Sequence, residues 1–305
     1  MTDHLPVPEA SWFMSLIQGT TAIPKAIAKL IDTIGGQIGL FLEPTHIRRK
    51  GQAEADVTVT EARAKADVAV VQLQNKLALQ DIQDRTEERV RKRETKRQKN
   101  IEAITAQAAG ALPESVSEKP VDEDWVTQFF NHCQDISNEE MQSLWARLLA
   151  GEVAKPGSFS LRTLALVQVM GKDDANIFTR FCSLVWQTPN GLTPIVPDLE
   201  KVDSLVGVQL GFMDFIRLDS LGLIRFAEVA GFRLTFTDDP HLIYHYYGRQ
   251  HILTKQGARD LNIGKAILTE VGKELAVIAG SSPNEEYRNW AVSTFRERGW
   301  EVVET

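Results

Sequence analysis

Three histidines in one short stretch have the residue type and spacing best suited to chemistry in this 305-residue chain. His241, His245 and His251 lie within HLIYHYYGRQH, just after Asp238 and Asp239. If the stretch is a strand, the first two histidines share a face, and imidazole and carboxylate groups are zinc ligands. Histidines between tyrosines on surface strands are far commoner than ligands. We therefore predict no metal site and keep the three histidines as weak candidates.

The sequence contains none of the short motifs that build common catalytic or nucleotide-binding sites. It has no GxxxxGK[ST] phosphate loop, no GxSxG nucleophile turn, no HExxH zinc motif and no CxxC pair. Cys133 and Cys182 lie in apolar helical patterns, which fits buried thiols in a reducing compartment. We therefore predict a non-enzymatic protein with no cofactor and no small-molecule substrate.

Positive charge is concentrated in one part of an acidic chain. The net charge is −7, which argues against a protein that coats nucleic acid. Residues 85–99 nevertheless read RTEERVRKRETKRQK. A solvated helix with i,i+4 ion pairs such as Glu88–Lys92 is the favoured interpretation, and phosphate binding is the alternative. The candidate interaction residues are its eight basic side chains: Arg85, Arg89, Arg91, Lys92, Arg93, Lys96, Arg97 and Lys99.

The element that positions these charges is a predicted long helix. No glycine or proline occurs between Gly51 and Gly110, and the segment is rich in good helix formers. A single helix of this length spans roughly 85–90 Å. Such a rod cannot fold back into a compact core, so the sequence predicts a protein that bundles, oligomerises or reaches across solvent.

The least polar stretch precedes this helix, at residues 10–42. Its uncharged windows, 10–24 and 33–42, are shorter than the roughly 20 residues of a spanning helix. We favour a short helix that packs on the rod or on a neighbouring subunit. The alternative is an amphipathic segment that meets a bilayer, with basic flanks facing anionic lipid.

Strong helical patterning follows the linker at 112–120. Asp122 can cap a helix, and Ser137 and Glu140 have the spacing of a capping box. Apolar residues within 141–149 then recur at i, i+3, i+4, i+7 and i+8, which predicts one buried face.

Beyond residue 190 helices alternate with short strands, in an order that a winged-helix module would give. We predict a mainly α protein with a long N-terminal helix, a central four-helix cluster and a C-terminal α+β winged-helix-like module. The predicted units are an apolar amphipathic segment at 1–43, a long charged coiled-coil-like helix at 44–111, a helical bundle at 121–188 and the winged-helix-like domain at 195–305.

Three blocks of sequence carry a family resemblance. EPTHIRRKGQAEA (43–55), RQKNIEAI (97–104) and EEMQSLWARLLAGEVAKPGSFSLRTL (139–164) together resemble the bacterial domain of unknown function 2806. The resemblance implies no catalytic residue, because no activity is assigned to that family. Within the third block we assign a structural role to eight family-motif residues: Trp145, Arg147, Leu148, Gly151, Glu152, Pro156, Gly157 and Arg162.

The helix LWARLLAGE (144–152) also resembles a helix of abortive-infection alpha proteins, which implies a role in phage defence. From the residues themselves we predict a self-assembling interaction protein, a homo-oligomer in the cytoplasm. One alternative is a membrane-acting effector that uses residues 10–42 at an anionic inner-membrane surface. Another is a nucleic-acid-binding regulator that uses the winged-helix-like module or the basic helix.

Overall fold

A computed structural model of the chain describes residues 24–41, 62–235, 241–255 and 260–305. Helices make up 55% of it, so the prediction of a mainly α fold is confirmed. The described helices are α1 (Lys25–Phe41), α2 (Ala62–Ala111), α3 (Glu123–Cys133), α4 (Glu139–Ala154), α5 (Leu161–Val169), α6 (Lys172–Cys182), α7 (Leu199–Ser204), α8 (Phe212–Ser220), α9 (Glu270–Ala276) and α10 (Glu285–Glu297).

The long helix predicted from the sequence is present. Helix α2 continues for 50 residues without a break, which is about 75 Å. The predicted residues 52–61 lie outside the described part of the chain. The C-terminal turns of α2 pack against α4, and Ile101, Ile104 and Ala108 are at most 3% exposed. We call α1 together with residues 97–305 the globular body.

Helix α1 lies on the globular body with its apolar face inward. Ala26, Leu30 and Ile34 are buried, and the helix contacts α3 and α4. At its edge Lys25 pairs with Glu118. Packing inside the chain therefore already covers this part of the predicted amphipathic face. None of the described helices combines the length and the apolarity needed to cross a bilayer.

Short antiparallel strands form the C-terminal part of the globular body. One five-stranded sheet has the order β2-β1-β5-β6-β9, and β3–β8 and β4–β7 form two separate pairs. The strands are β1 (Val185–Thr188), β2 (Gly191–Pro194), β3 (Ile224–Phe226), β4 (Phe232–Thr235), β5 (His241–Tyr246), β6 (Arg249–Thr254), β7 (Asp260–Gly264), β8 (Ala266–Leu268) and β9 (Glu301–Glu304).

The helices and the sheet share one hydrophobic cluster. Tyr287 of α10 connects the two layers, because its hydroxyl donates to carbonyl oxygens of Leu184 and Ile195 and accepts a hydrogen bond from Trp186 Nε1 at 2.9 Å. The core thus runs from α1 to β9. The domain boundaries predicted from the sequence stay predictions.

The capping box predicted at Ser137 is wrong by one residue. Asn138 caps α4, and its side chain accepts a hydrogen bond from Met141 N at 3.1 Å. The Ser137 hydroxyl instead accepts from Asn100 Nδ2 of α2 at 3.2 Å. A tertiary contact therefore takes the side chain that local spacing assigned to the cap. The predicted cap at Asp122 is confirmed, because it accepts from Trp125 N at 2.9 Å.

Candidate interaction surface

Part of helix α2 projects away from the globular body. Every side chain from Lys76 to Lys96 is exposed except that of Val90, which is partly buried. We call residues 76–96 the free section, which is about 30 Å long. Leu77, Leu79 and Ile82 are more than half exposed there. A large unpartnered helical surface of this kind is the most extensive candidate for an interaction in the described chain.

Charge is unevenly divided along the free section. Its acidic half, residues 76–88, has four acidic and two basic side chains. Its basic half, residues 89–96, has five basic side chains and one acidic. The helix therefore carries about −2 at one end of this surface and about +4 at the other, a distribution that an antiparallel copy would complement.

Both kinds of charge lie on the same face of the helix. Asp81, Asp84 and Glu88 recur at three- and four-residue steps in the acidic half. A basic stripe with the same helical spacing begins in that half and continues to the packed end of α2. It consists of Arg85, Arg89, Lys92, Lys96 and Lys99.

Local pairing neutralises only some of the eight candidate interaction residues. The predicted Glu88–Lys92 pair forms at 2.7 Å, and hydrogen bonding by Lys92 lowers the pKa of Glu88. Arg85 pairs with Asp81 at 2.9 Å, and Arg93 contacts Glu94. Within the described residues, no carboxylate lies within 4 Å of four exposed cations: Arg89, Arg91, Lys96 and Lys99.

Arg97 fastens α2 to the globular body where the free section ends. Its Nε and Nη2 donate to the two carboxylate oxygens of Asp135, each at 2.8 Å. This two-pronged hydrogen bonding raises the pKa of Arg97 and lowers that of Asp135. One turn later, Asn100 Nδ2 donates to the Gln134 carbonyl at 2.8 Å. Arg97 therefore serves as an anchor, while the other basic residues face solvent.

The family-motif residues lie in helix α4, in the turn that follows it and in helix α5. Trp145 and Leu148 of α4 are fully buried. Gly151 allows the Phe159 ring to approach, because a Cβ there would lie 2.7 Å from Phe159 Cε2. Arg162 is exposed on α5.

Glu152 organises the turn that follows α4. Its carboxylate is buried and accepts hydrogen bonds from Gly157 N at 2.5 Å and Phe159 N at 3.0 Å. Burial raises the pKa of Glu152, and the backbone hydrogen bonds counteract the shift. Gly157 adopts φ +89, which favours glycine, in the turn that begins at Pro156. In the described residues neither Arg147 nor Arg162 pairs with Glu152.

The three histidines do not converge. They lie on the hairpin of β5 and β6, where His251 is opposite Tyr244 and His245 is opposite Gln250. His251 is therefore buried on one face, whereas His241 and His245 lie on the other. Within the described ranges no group of three His, Cys, Asp or Glu side chains could hold a metal ion. Asp238 and Asp239 lie outside those ranges.

A tight turn separates the histidines, and its glycine was the missed signal. Tyr247 and Gly248 both have positive φ between β5 and β6. The sequence predicted a strand only for residues 241–247 and no return strand after Gly248, so it could not place His251 on the opposite face. The charge division of the free section was also visible in the sequence, but the sequence alone could not show that this surface stands clear of the core.

Comparison with known proteins gives one match. A family model described as "Protein of unknown function (DUF2806)" covers residues 84–291, from the free section into α10. No curated protein and no solved structure matches the chain significantly. The match confirms the family resemblance and contains the blocks at 97–104 and 139–164, whereas the block at 43–55 lies outside the matched residues. The resemblance to abortive-infection alpha proteins gains no support.

Proposed function

This chain belongs to the family described as a protein of unknown function (DUF2806), and because that description assigns no activity, we propose from the free section that it is a self-assembling protein. Two copies associate through antiparallel pairing of their α2 helices. The observation that carries this proposal is the exposed free section with its acidic and basic halves. An isolated helix this polar is marginal in water, so a partner helix supplies stability that the chain itself does not.

Antiparallel pairing matches the charges of two identical copies. The acidic half of each copy faces the basic half of the other, and the long basic side chains can lay their aliphatic stems along Leu77, Leu79 and Ile82. Parallel, in-register pairing would instead place the two basic halves side by side, which is destabilising. The symmetry is that of a two-fold dimer, the commonest closed assembly.

Charge reversal tests the proposal directly. An acid-to-base variant carries D81K, D84K and E88K, and a base-to-acid variant carries R89E, K92E and K96E. Each variant alone should sediment as a monomer, because both halves of its free section then have the same sign. An equimolar mixture should form a heterodimer with the mass of the wild-type dimer, because the two variants have opposite charge along the free section.

The control carries the same charge change on the globular body, at the exposed residues Glu114, Glu228 and Glu297. This E114K/E228K/E297K variant should sediment like the wild type. Circular dichroism checks that all variants remain helical. A mixture of the two charge-reversed variants that stays monomeric would refute antiparallel pairing, as would variants that each dimerise like the wild type.

Nucleic-acid binding by the basic helix is the second candidate function. It is favoured by the exposed cations without a close acidic partner in the described chain, such as Arg89, Arg91 and Lys96. Such binding would be insensitive to sequence and would weaken steeply with salt. A gel shift titrated with salt tests it, and the absence of binding at low salt would reject it.

The winged-helix and membrane alternatives have weaker support. Helix α8 of the C-terminal module has a single basic residue, Arg217, which is bound to Asp174 at 2.5 Å. Its two acidic residues would repel phosphate. For the membrane alternative, Ala26, Leu30 and Ile34 of α1 are already buried against the globular body, and residues 10–23 lie outside the described part. A role in phage defence stays a prediction.

A further inference from the structure

A cavity of about 280 Å³ opens on the globular body between α4, α6 and α9. It shares no lining residue with the free section. Much of its wall is apolar, with Leu144, Met170, Phe178 and Leu275 all nearly buried. Apolar walls of this kind, together with one charged side chain, are typical of a small-molecule site.

Arg147 supplies the positive charge of the cavity. Its Nε donates to the Ile278 carbonyl at 2.6 Å, and its Nη1 donates to Ser143 Oγ at 2.9 Å. These two neutral acceptors leave three of its five N–H groups uncommitted to the described residues. The Gly280 turn packs close by, since a Cβ built there would lie 3.9 Å from Arg147 Cζ.

No acidic side chain of the described chain lies within 4 Å of this guanidinium. The acidic residue of the cavity lining, Glu140, is bound to Lys172 at 2.7 Å. Burial also lowers the pKa of Arg147, which reflects the loss of water around the charge. Arg147 is partly buried and has no carboxylate within 4 Å among the described residues, so its guanidinium is suited to an anion that enters the cavity.

We propose that this cavity binds a small monocarboxylate, with its carboxylate on Arg147 and its hydrocarbon body against Leu144, Phe178 and Leu275. The planar guanidinium matches the geometry of a carboxylate and can donate two parallel hydrogen bonds. The apolar walls match a hydrocarbon body. The site is independent of the proposed assembly.

A purely structural role for Arg147 is the competing explanation, because its bond to Ile278 ties α4 to the segment after α9. Isothermal titration of the full chain with benzoate and with benzamide separates the two explanations. The two probes have nearly the same shape and differ in charge. We expect benzoate to bind at least about ten-fold more tightly, since a charge-assisted hydrogen bond exceeds a neutral one by enough for that ratio.

Variants locate the binding. R147Q should weaken benzoate binding by about ten-fold or more and leave benzamide unchanged. A175L narrows the cavity without altering Arg147 and should weaken both probes. R162Q is the matched control, because Arg162 is exposed outside the cavity, and it should bind benzoate like the wild type.

Three results would overturn the proposal: equal binding of benzoate and benzamide, binding of neither probe, or benzoate binding that A175L does not change. If R147Q does not fold, the comparison of the two probes on the wild type and on A175L still decides the matter.

Discussion

The free section and the packed end of helix α2 are continuous in sequence but have opposite surroundings. At the packed end, Ile104 and Ala108 are fully buried against the globular body. In the free section, Leu79 and Ile82 are more than half exposed although they recur at helical spacing too. The packed end is held by tertiary contacts. The free section depends on intrinsic propensity, on i,i+4 pairs and on the partner helix that we propose.

The largest effect should come from deleting apolar side chains at equivalent points of the two parts. Ile104→Ala should lower the free energy of unfolding by about 2–5 kcal/mol, because it opens a cavity in the core. Ile82→Ala should change it by less than about 0.5 kcal/mol in the monomer, because the side chain is exposed. Urea unfolding of both variants at low protein concentration measures the contrast, and equal losses would show that the free section is packed.

A helix breaker should separate the two parts. Proline in a helix interior costs about 3 kcal/mol relative to alanine, so Arg89→Pro should interrupt the helix within the free section. We expect a loss of helical circular dichroism and of dimerisation, with the thermal midpoint of the globular body unchanged. Arg89→Ala is the control. A large fall in that midpoint would contradict the independence of the two parts.

Mild acid, just below pH 6.5, should weaken the globular body and not the free section. Burial holds the pKa of His251 below its ordinary value of 6.5. Protonation of His251 therefore favours the unfolded chain. The stability that neutral His251 contributes is fully present above pH 6.5 and is lost as the pH falls from 6.5 towards the lowered pKa. The H251Q variant should make the free energy of unfolding less dependent on pH in this range. The H241Q variant is the control. The free section has no histidine, so its helicity should not follow this profile.

The smallest effect should come from the anchor between the two parts. Arg97→Ala removes the paired hydrogen bonds to Asp135, whose side chain is 59% exposed. Solvent screening limits the loss of stability to about 0.2–1 kcal/mol. The change should be clearer as faster amide exchange in the turns around residue 97, and it should fade at high salt. Amide exchange rates around residue 97 that equal those of the wild type would show that Arg97 does not anchor the helix.

The sequence predicted the features that local rules determine. The absence of glycine and proline predicted α2, and the apolar spacing within 141–149 predicted the buried face of α4. Strands β1 and β7 could not be predicted from the sequence pattern, because they are short and mostly buried and show no clear alternation. The Arg147 site was also missed, because its acceptor Ile278 is 131 residues away and no local pattern joins them.

The central claim is that two copies pair through the free section. Light scattering of the wild-type chain across a dilution series tests it most directly. The account predicts a mass of twice the 34.1 kDa of one chain at high concentration, falling towards one chain on dilution. A mass of one chain at every concentration, up to about 0.1 mM, would contradict it.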